Sequence, residues 1–127
     1  MSFRFDPSDG LVIVRAELTG PDGIAVINLA LDTGATRSLV NAGILVSIGC
    51  DPALADERYQ VTTGSGVEFV PVVTVKRLST LGMTREGFSL LSHTLPPSSC
   101  VDGLLGVDFL HGTSLHIDFR QDVISLS

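Results

Sequence analysis

An aspartate placed directly after an apolar run is the feature that most constrains how this chain can fold. Residues 24–31 are apolar at nearly every position and are followed at once by Asp32-Thr33-Gly34. Val, Ile and Leu in so short a run favour a strand, and the lack of alternation predicts burial on both of its faces. A carboxylate at the end of such a strand is costly unless something uses it. Gly34 allows another backbone or a ligand to approach closely.

The flanking sequence predicts that this strand belongs to a β-hairpin. Residues 11–18 have a second strand pattern, and Gly-Pro-Asp-Gly at 20–23 joins the two runs with residues that each favour a turn. Asn41 is expected to cap a short helix over residues 42–48, and Pro71 requires an edge or bent strand. Further strands are expected at residues 38–40, 58–63, 67–80, 85–94, 115–119 and 123–126.

A second motif, Val-Asp-Gly-Leu-Leu-Gly-Val-Asp-Phe-Leu, occupies residues 101–110. Its apolar positions at 104, 105, 109 and 110 predict a short amphipathic helix over residues 102–110. Asp102 is then expected at the helix start and Asp108 on its exposed face. The whole pattern predicts a mainly β fold, a closed or partly closed barrel with one or two short helices, in a single domain over residues 1–127.

Composition narrows the possible functions. Of 127 residues 44% are apolar, which is enough for one domain with a real core. Only 8 Lys and Arg are present and the net charge is −6, which argues against nucleic-acid binding. The start lacks an apolar signal core, and no run approaches the roughly 18 apolar residues of a spanning helix. The chain is expected to be cytoplasmic without a membrane segment, and a larger or membrane-tethered parent protein stays open.

Other chemistries have weak sequence support. His93, His111 and His116 lack metal-ligand spacing, so neither a metal nor another cofactor is predicted. Cys50 lacks the context of a thiol nucleophile, and it and Cys100 are expected to be reduced. Gly64-Ser65-Gly66 is too short for a hydrolase elbow, and no Lys follows it to make a phosphate loop. Tyr59 is either a half-buried strand aromatic or a substrate contact.

The two motifs together resemble the retropepsin-like aspartic peptidases. Residues 29–36, Leu-Ala-Leu-Asp-Thr-Gly-Ala-Thr, are similar to the catalytic loop of that family, and residues 103–110 are similar to its second signature. Residues 63–66 lie between them, where the family carries the tip of a mobile hairpin flap. The resemblance extends over nearly the whole chain and is closer to cellular and bacterial members than to viral ones.

The resemblance implies a role for each matching position. Asp32 would be the catalytic carboxylate, Thr33 would hydrogen-bond across a dimer axis, and Gly34 and Ala35 would complete the active-site loop. Gly106 would let the second signature cross close to that loop. The remaining implied positions are Leu105 of the second signature and the flap or substrate-binding residues Thr63, Gly64, Ser65 and Gly66.

The resemblance also implies an enzyme with two subunits. Peptide hydrolysis by this route needs two adjacent carboxylates that share one proton, and the chain has one Asp-Thr-Gly. A two-fold homodimer would supply the second carboxylate. The implied function is an aspartic endopeptidase that cleaves a peptide or protein substrate with carboxylate-activated water at the dimer interface.

Two departures from the family leave an alternative open. Many viral members continue the first motif with Ala-Asp and carry Arg after the Gly of the second, whereas this chain has Thr36 and Val107 there. Losing both partners of an ion pair avoids a lone buried charge, so the change is consistent within itself. The alternative is a non-catalytic or weakly catalytic dimerisation or peptide-binding module of retropepsin fold.

Overall fold

A computed structural model describes the backbone of all 127 residues and every side chain except that of Thr63. The described backbone is mainly β, with two short α-helices, α1 (Ala42–Ser47) and α2 (Val107–Leu110). Single turns of 3-10 helix lie at Pro7–Asp9 and Pro52–Leu54. The strands are β1 (Ser2–Arg4), β2 (Ile13–Gly20), β3 (Gly23–Leu31), β4 (Leu39–Asn41), β5 (Arg58–Thr63), β6 (Gly66–Thr80), β7 (Met83–His93), β8 (Gly103–Leu105), β9 (Leu115–Asp118) and β10 (Val123–Leu126).

Seven of these strands form one partly closed sheet. Their order is β2-β3-β8-β4-β7-β6-β5, and an additional pairing of β2 with β6 brings distant parts of the sheet together. β3 runs parallel to β8, and β4 runs parallel to β7 and antiparallel to β8. The expected partly closed barrel with two short helices is confirmed. Strand β8 sits between β3 and β4, so the second motif lies beside the strand that leads to Asp32.

The β2–β3 hairpin is present, with Gly20 paired to Gly23. The prediction that its second strand is buried on both faces is wrong for the outer half. Ile24 and Val26 are 60% and 56% exposed, whereas Leu29 is fully buried. Strand β8 pairs only with residues 29–31 of β3. Within the apolar run, the buried residues Ile27, Leu29 and Ala30 all belong to the inner half, which leads to Asp32.

The second motif differs from the continuous helix predicted for residues 102–110. Residues Gly103–Leu105 are strand β8, and the helix is only the single turn α2 after Gly106. Gly103 explains the difference, because a Cβ there would collide with the backbone carbonyl of Leu39. Close pairing with β4 thus requires a residue without a side chain, and tertiary contact overrides the helical pattern.

Strand β6 changes partners along its length. Residues 66–71 pair with β5, residues 72–80 pair with β7, and residues 77–80 also pair with β2. Pro71 lies at the end of the first part, where no strand pairing is recorded on its other side, as expected for a residue without an N–H. The β5–β6 hairpin thus extends beyond the main sheet.

Helix α1 begins as predicted, because Asn41 Oδ1 accepts a hydrogen bond from Gly43 N at 3.2 Å. Strand β1, which the sequence did not predict, pairs with β10, and β10 pairs with β9 to give a three-stranded sheet. Side chains of both sheets, among them Leu29, Leu105 and Ile124, meet in one apolar core. The described helices include none that is long and apolar enough to cross a membrane.

Candidate active site

Asp32 stands at the point where β3 leaves the core. Its N–H donates to the carbonyl of Leu105 at 3.0 Å, so the pairing of β3 with β8 continues to the aspartate itself. The chain then turns, because Ala35 N donates to Asp32 O at 3.1 Å. Asp32 is half-buried, while Thr33 and Gly34 are exposed. The sheet therefore fixes the backbone of Asp32, and its half-buried side chain lies at the surface of the chain.

The two oxygens of Asp32 have different surroundings. Oδ1 accepts a hydrogen bond from Gly34 N at 2.9 Å, which orients the carboxylate. Oδ2 accepts no hydrogen bond from any residue that the structure describes, and it is not a buried unpaired atom. A carboxylate with one oxygen held and one open can bind water or a second hydrogen-bonding group. This arrangement suits general acid–base chemistry.

The second motif packs directly on the Asp32 loop, defined here as residues 32–38. Val107 N donates to Ala35 O at 2.9 Å. A Cβ built on Gly106 would lie 2.8 Å from Ala35 O and 2.9 Å from the carbonyl carbon of Arg37. Only glycine permits this approach without displacing backbone. The structure therefore brings Gly106 and the buried Leu105 together with the Asp32 loop, as the resemblance implied.

A buried serine ties the loop to α2. Ser38 is 1% exposed, and its Oγ donates to Asp108 Oδ1 at 2.7 Å while accepting from Gly106 N at 3.0 Å. Ser38 N donates to Asp108 Oδ2 at 2.9 Å. Both oxygens of the Asp108 carboxylate are thus used within the protein, and hydrogen bonds to a charged group are the stronger ones.

Both expectations for the flanking aspartates are wrong. Asp108 does not lie on an exposed helix face, since its side chain is only 17% exposed and bonded to Ser38. Asp102 does not start a helix, because it precedes β8 and its Oδ2 accepts from Asn28 N at 2.8 Å. Each carboxylate accepts a hydrogen bond from a residue that is distant in sequence, so the local sequence does not reveal the contact. Neither is hydrogen-bonded to Asp32.

A different ion pair from that of the viral members joins the Asp32 loop to α2. Thr36 and Val107 are uncharged, but the next residue on each segment is charged, and Arg37 Nε lies 3.9 Å from Asp108 Oδ2. The cation is on the loop and the anion on the helix, which reverses the arrangement expected for viral members. The Arg37 guanidinium carbon also lies 5.0 Å from the ring centre of Tyr59, so this cation bridges α2 and β5.

Arg85 of β7 holds the far end of α2. Its Nε donates to Phe109 O at 2.7 Å and its Nη2 to His111 O at 2.6 Å. These carbonyls stand at the end of the helix, where backbone acceptors lack intrahelical partners and a cation is favourable. Arg85 thus fixes the position from which Gly106 and Asp108 reach the Asp32 loop.

The β5–β6 hairpin closes one side of a cleft beside Asp32. Its tip is Gly64-Ser65, between the paired residues 63 and 66. The hairpin joins the two strands that the sequence predicted around residues 63–66. The side chain of Thr63, which the resemblance assigned to the flap, lies outside the described ones. The cleft measures about 370 Å³ and is bounded by residues 34–37 on one side and 59–62 on the other. Tyr59 is a half-buried strand aromatic that also lines this cleft.

A larger groove of about 500 Å³ surrounds the β6–β7 turn. Its lining includes Arg15, Glu17 and Met83 but no residue of the Asp32 loop. We assign the candidate site to the smaller cleft, because residues 34–37 of the Asp32 loop form one of its walls. Volume alone does not locate the chemistry.

The described residues offer no competing centre. They contain no group of three or more His, Cys, Asp and Glu side chains placed to hold a metal ion. Cys50 and Cys100 are not joined by a disulfide. Burial, and to a smaller extent the charge of Asp22, raise the pKa of the Cys50 thiol. A raised pKa disfavours the thiolate that a cysteine nucleophile needs.

Replacing Asp108 with Ala should lower the free energy of unfolding by about 2–4 kcal/mol, because Ser38 N and Oγ would lose their shared acceptor. Chemical denaturation of both proteins measures the difference. Asp56 is exposed and has no hydrogen bond or ion pair in the described structure, so Asp56→Ala is the matched control. Equal losses in the two variants would show that the Ser38–Asp108 contact stabilises nothing.

Sequence reasoning missed three residues of this site, namely Ser38, Arg37 and Arg85. One signal was available for Ser38, a small polar residue directly before the apolar Leu39-Val40. No local pattern marks Arg37 or Arg85, because their partners lie 71 and 24 residues away in sequence.

Comparisons with known proteins place the chain in a family. The model of the family described as gag-polyprotein putative aspartyl protease matches residues 22–112. That match includes Asp32, the β5–β6 hairpin and the second motif. No curated protein sequence matches the chain significantly.

Two solved structures share the fold. A retropepsin-like aspartic protease from Rickettsia conorii superposes with a TM-score of 0.70 at 18% identity, covering 99% of this chain and 88% of that one. The retroviral protease-like domain of Ddi1 from Leishmania major gives a TM-score of 0.60 at 16% identity, with coverages of 92% and 88%. Identities this low establish the fold alone. Because the family model spans most of the sequence, the chain belongs to the retropepsin-like aspartic peptidase family that this model describes.

Proposed function

We propose that this protein is an aspartic endopeptidase whose active site forms when Asp32 of two chains meet across a two-fold axis. The observation that carries the proposal is the Asp32 carboxylate, oriented by Gly34 N at 2.9 Å and open at Oδ2. The other carboxylate close to this loop, Asp108, has both oxygens bonded to Ser38 and leaves none for a substrate.

The chemistry needs a second carboxylate. Asp102 and Asp108, which flank the nearby second motif, are bonded to Asn28 and Ser38 respectively. A second copy of the chain supplies the missing group with no new sequence. Thr33 supports this arrangement, since it is exposed beside Asp32 and its hydroxyl has no partner among the described residues. In the proposed dimer, that hydroxyl donates a hydrogen bond to the same loop of the second chain.

The proposed reaction uses one proton shared by the pair. Two carboxylates in contact do not both ionise easily, so one stays protonated. The ionised one takes a proton from a water molecule held between them, and the protonated one hydrogen-bonds the carbonyl oxygen of the peptide bond. The water oxygen then attacks the carbonyl carbon. When the C–N bond breaks, a proton passes to the leaving nitrogen and the pair recovers its single proton.

The test is hydrolysis of a peptide mixture by the purified protein at pH values from 3 to 8. We expect a bell-shaped rate, because the pair fails when it gains a second proton and when it loses its only one. A statine-type peptide, whose hydroxyl imitates the attacking water, should abolish cleavage. A rate that stays flat across this range, or that resists the inhibitor, would contradict the proposal.

A further inference from the structure

The cleft beside Asp32 contains one charged residue among its described side chains, Arg37. The others are apolar or neutral and include Leu39, Leu91 and Leu104. The Arg37 side chain is 25% exposed and lines the cleft. In a chain with a net charge of −6, this places a single cation where a peptide would bind.

The ion pair of Arg37 leaves most of its binding capacity unused. Its Nε lies 3.9 Å from Asp108 Oδ2, which is too long for a hydrogen bond. That oxygen already accepts from Ser38 N at 2.9 Å. A guanidinium has five N–H donors, and the hydrogen bonds recorded for the described residues include none from Arg37. Asp108 therefore attracts the Arg37 guanidinium but accepts no hydrogen bond from it, so its N–H donors stay available.

Tyr59 holds this guanidinium in place from the other wall of the cleft. The 5.0 Å distance from the guanidinium carbon to the ring centre is within the range of a cation–π contact. Such a contact restricts the side chain at one face and leaves its N–H edge available. A guanidinium edge matches a carboxylate through two parallel hydrogen bonds.

We propose that Arg37 makes the cleft select peptides with an acidic side chain, Asp or Glu, near the cleaved bond. This inference rests on the proposed function, because it concerns the peptide that the enzyme would cleave. Arg37 acts here as a specificity-determining residue that touches substrate and takes no part in proton transfer. The described walls of the cleft offer no second charge for a basic side chain.

The experiment compares cleavage specificity in three proteins, namely wild type, Arg37→Gln and Arg77→Gln. Arg77, on β6, is the control because it pairs with the exposed Glu86 of β7 at 3.4 Å and does not line the cleft. A proteome-derived peptide mixture is digested, and the frequency of Asp and Glu at each position around the cleaved bonds is determined by mass spectrometry. A pair of synthetic peptides with Glu or Gln at the enriched position then gives kcat/KM.

Wild type and Arg77→Gln should cleave the Glu peptide about three- to tenfold faster than the Gln peptide, as expected for a partly exposed charge-assisted contact. In Arg37→Gln the ratio should fall to about one, while the Gln peptide is cleaved as before. In wild type the ratio should also shrink at high salt, since the contact is solvent-accessible. A ratio near one in wild type, or one that survives in Arg37→Gln, would overturn the inference.

A binding measurement separates this inference from the proposed function. The same two peptides, labelled with a fluorophore, are titrated with Asp32→Asn protein and with the Asp32→Asn/Arg37→Gln double variant. A preference for the Glu peptide that needs Arg37 would support the inference even if wild type cleaved nothing, in which case only the proposed function fails. Equal binding of the two peptides would overturn the inference even if cleavage is observed.

Discussion

Asp32→Asn should lower kcat/KM for peptide hydrolysis by about 10²–10⁴-fold, the usual contribution of a positioned general acid or base. The amide cannot take a proton from water at the active pH, yet its oxygen can still accept the hydrogen bond from Gly34 N. The loop should therefore keep its shape while the chemistry stops. Thermal unfolding of both proteins checks that the fold is unchanged, and hydrolysis of one synthetic peptide measures the rate.

Asp51→Asn is the matched control for this substitution. Asp51 Oδ1 accepts from Ala53 N at 2.9 Å, two residues ahead, which is the same local contact that Asp32 makes with Gly34. Asp51 is exposed and does not line the cleft. The control should retain full activity, and an active Asp32→Asn protein would remove Asp32 from the mechanism.

Mixing the two proteins tests whether two chains share one site. With a tenfold excess of Asp32→Asn chains, about one wild-type chain in eleven would meet another wild-type chain in random two-fold pairs. Activity per wild-type chain should then fall to about a tenth of its starting value. Undiminished activity after subunit exchange would show that a single chain is sufficient.

Gly106→Ala should lower the free energy of unfolding by about 1–3 kcal/mol, the usual cost of overpacking. The new Cβ would lie 2.8 Å from Ala35 O and 3.0 Å from Arg37 O, and both are backbone atoms of the Asp32 loop. The φ of Gly106 is −92°, so the cost comes from contact and not from backbone conformation. Because relief requires moving the loop, peptide hydrolysis should fall together with stability.

Gly43→Ala supplies a control of opposite sign. Gly43 lies in α1, and the nearest atom to its built Cβ is Asn41 Oδ1 at 3.9 Å, an ordinary contact. Replacing a helical glycine with alanine should stabilise the protein by about 0.5–1 kcal/mol. Denaturation curves for the two variants should therefore shift in opposite directions, and a shared direction would refute the packing explanation for Gly106.

Local patterns predicted the parts of the fold that depend on near neighbours. The hairpin before Asp32 follows from two apolar runs around Gly-Pro-Asp-Gly, and the start of α1 follows from Asn41. The family resemblance implied that the second motif lies close to the Asp32 loop. Its Gly106 was correctly expected beside the loop, although the role of each site residue in catalysis stays a prediction.

The remainder depends on contacts between distant segments. Ser38 and Asp108 are 70 residues apart, and each is an ordinary polar residue in its own surroundings. Strand β8 has a helical pattern of apolar residues, and only pairing with β3 and β4 makes it a strand. Strand β1 has three residues and exists because it pairs with β10 near the other end of the chain.

The change of partners along β6 has a mechanical consequence for the cleft. One continuous strand runs from the barrel into the hairpin over the cleft, so its first six residues are anchored by β5 alone, whereas the rest pair with β7 and, at residues 77–80, also with β2. Bending of that strand should concentrate beside Pro71, where one set of partners ends and the next begins. Amide protons of residues 72–80 should then outlast those of residues 66–70 in hydrogen exchange, and a bound peptide should slow only the faster group.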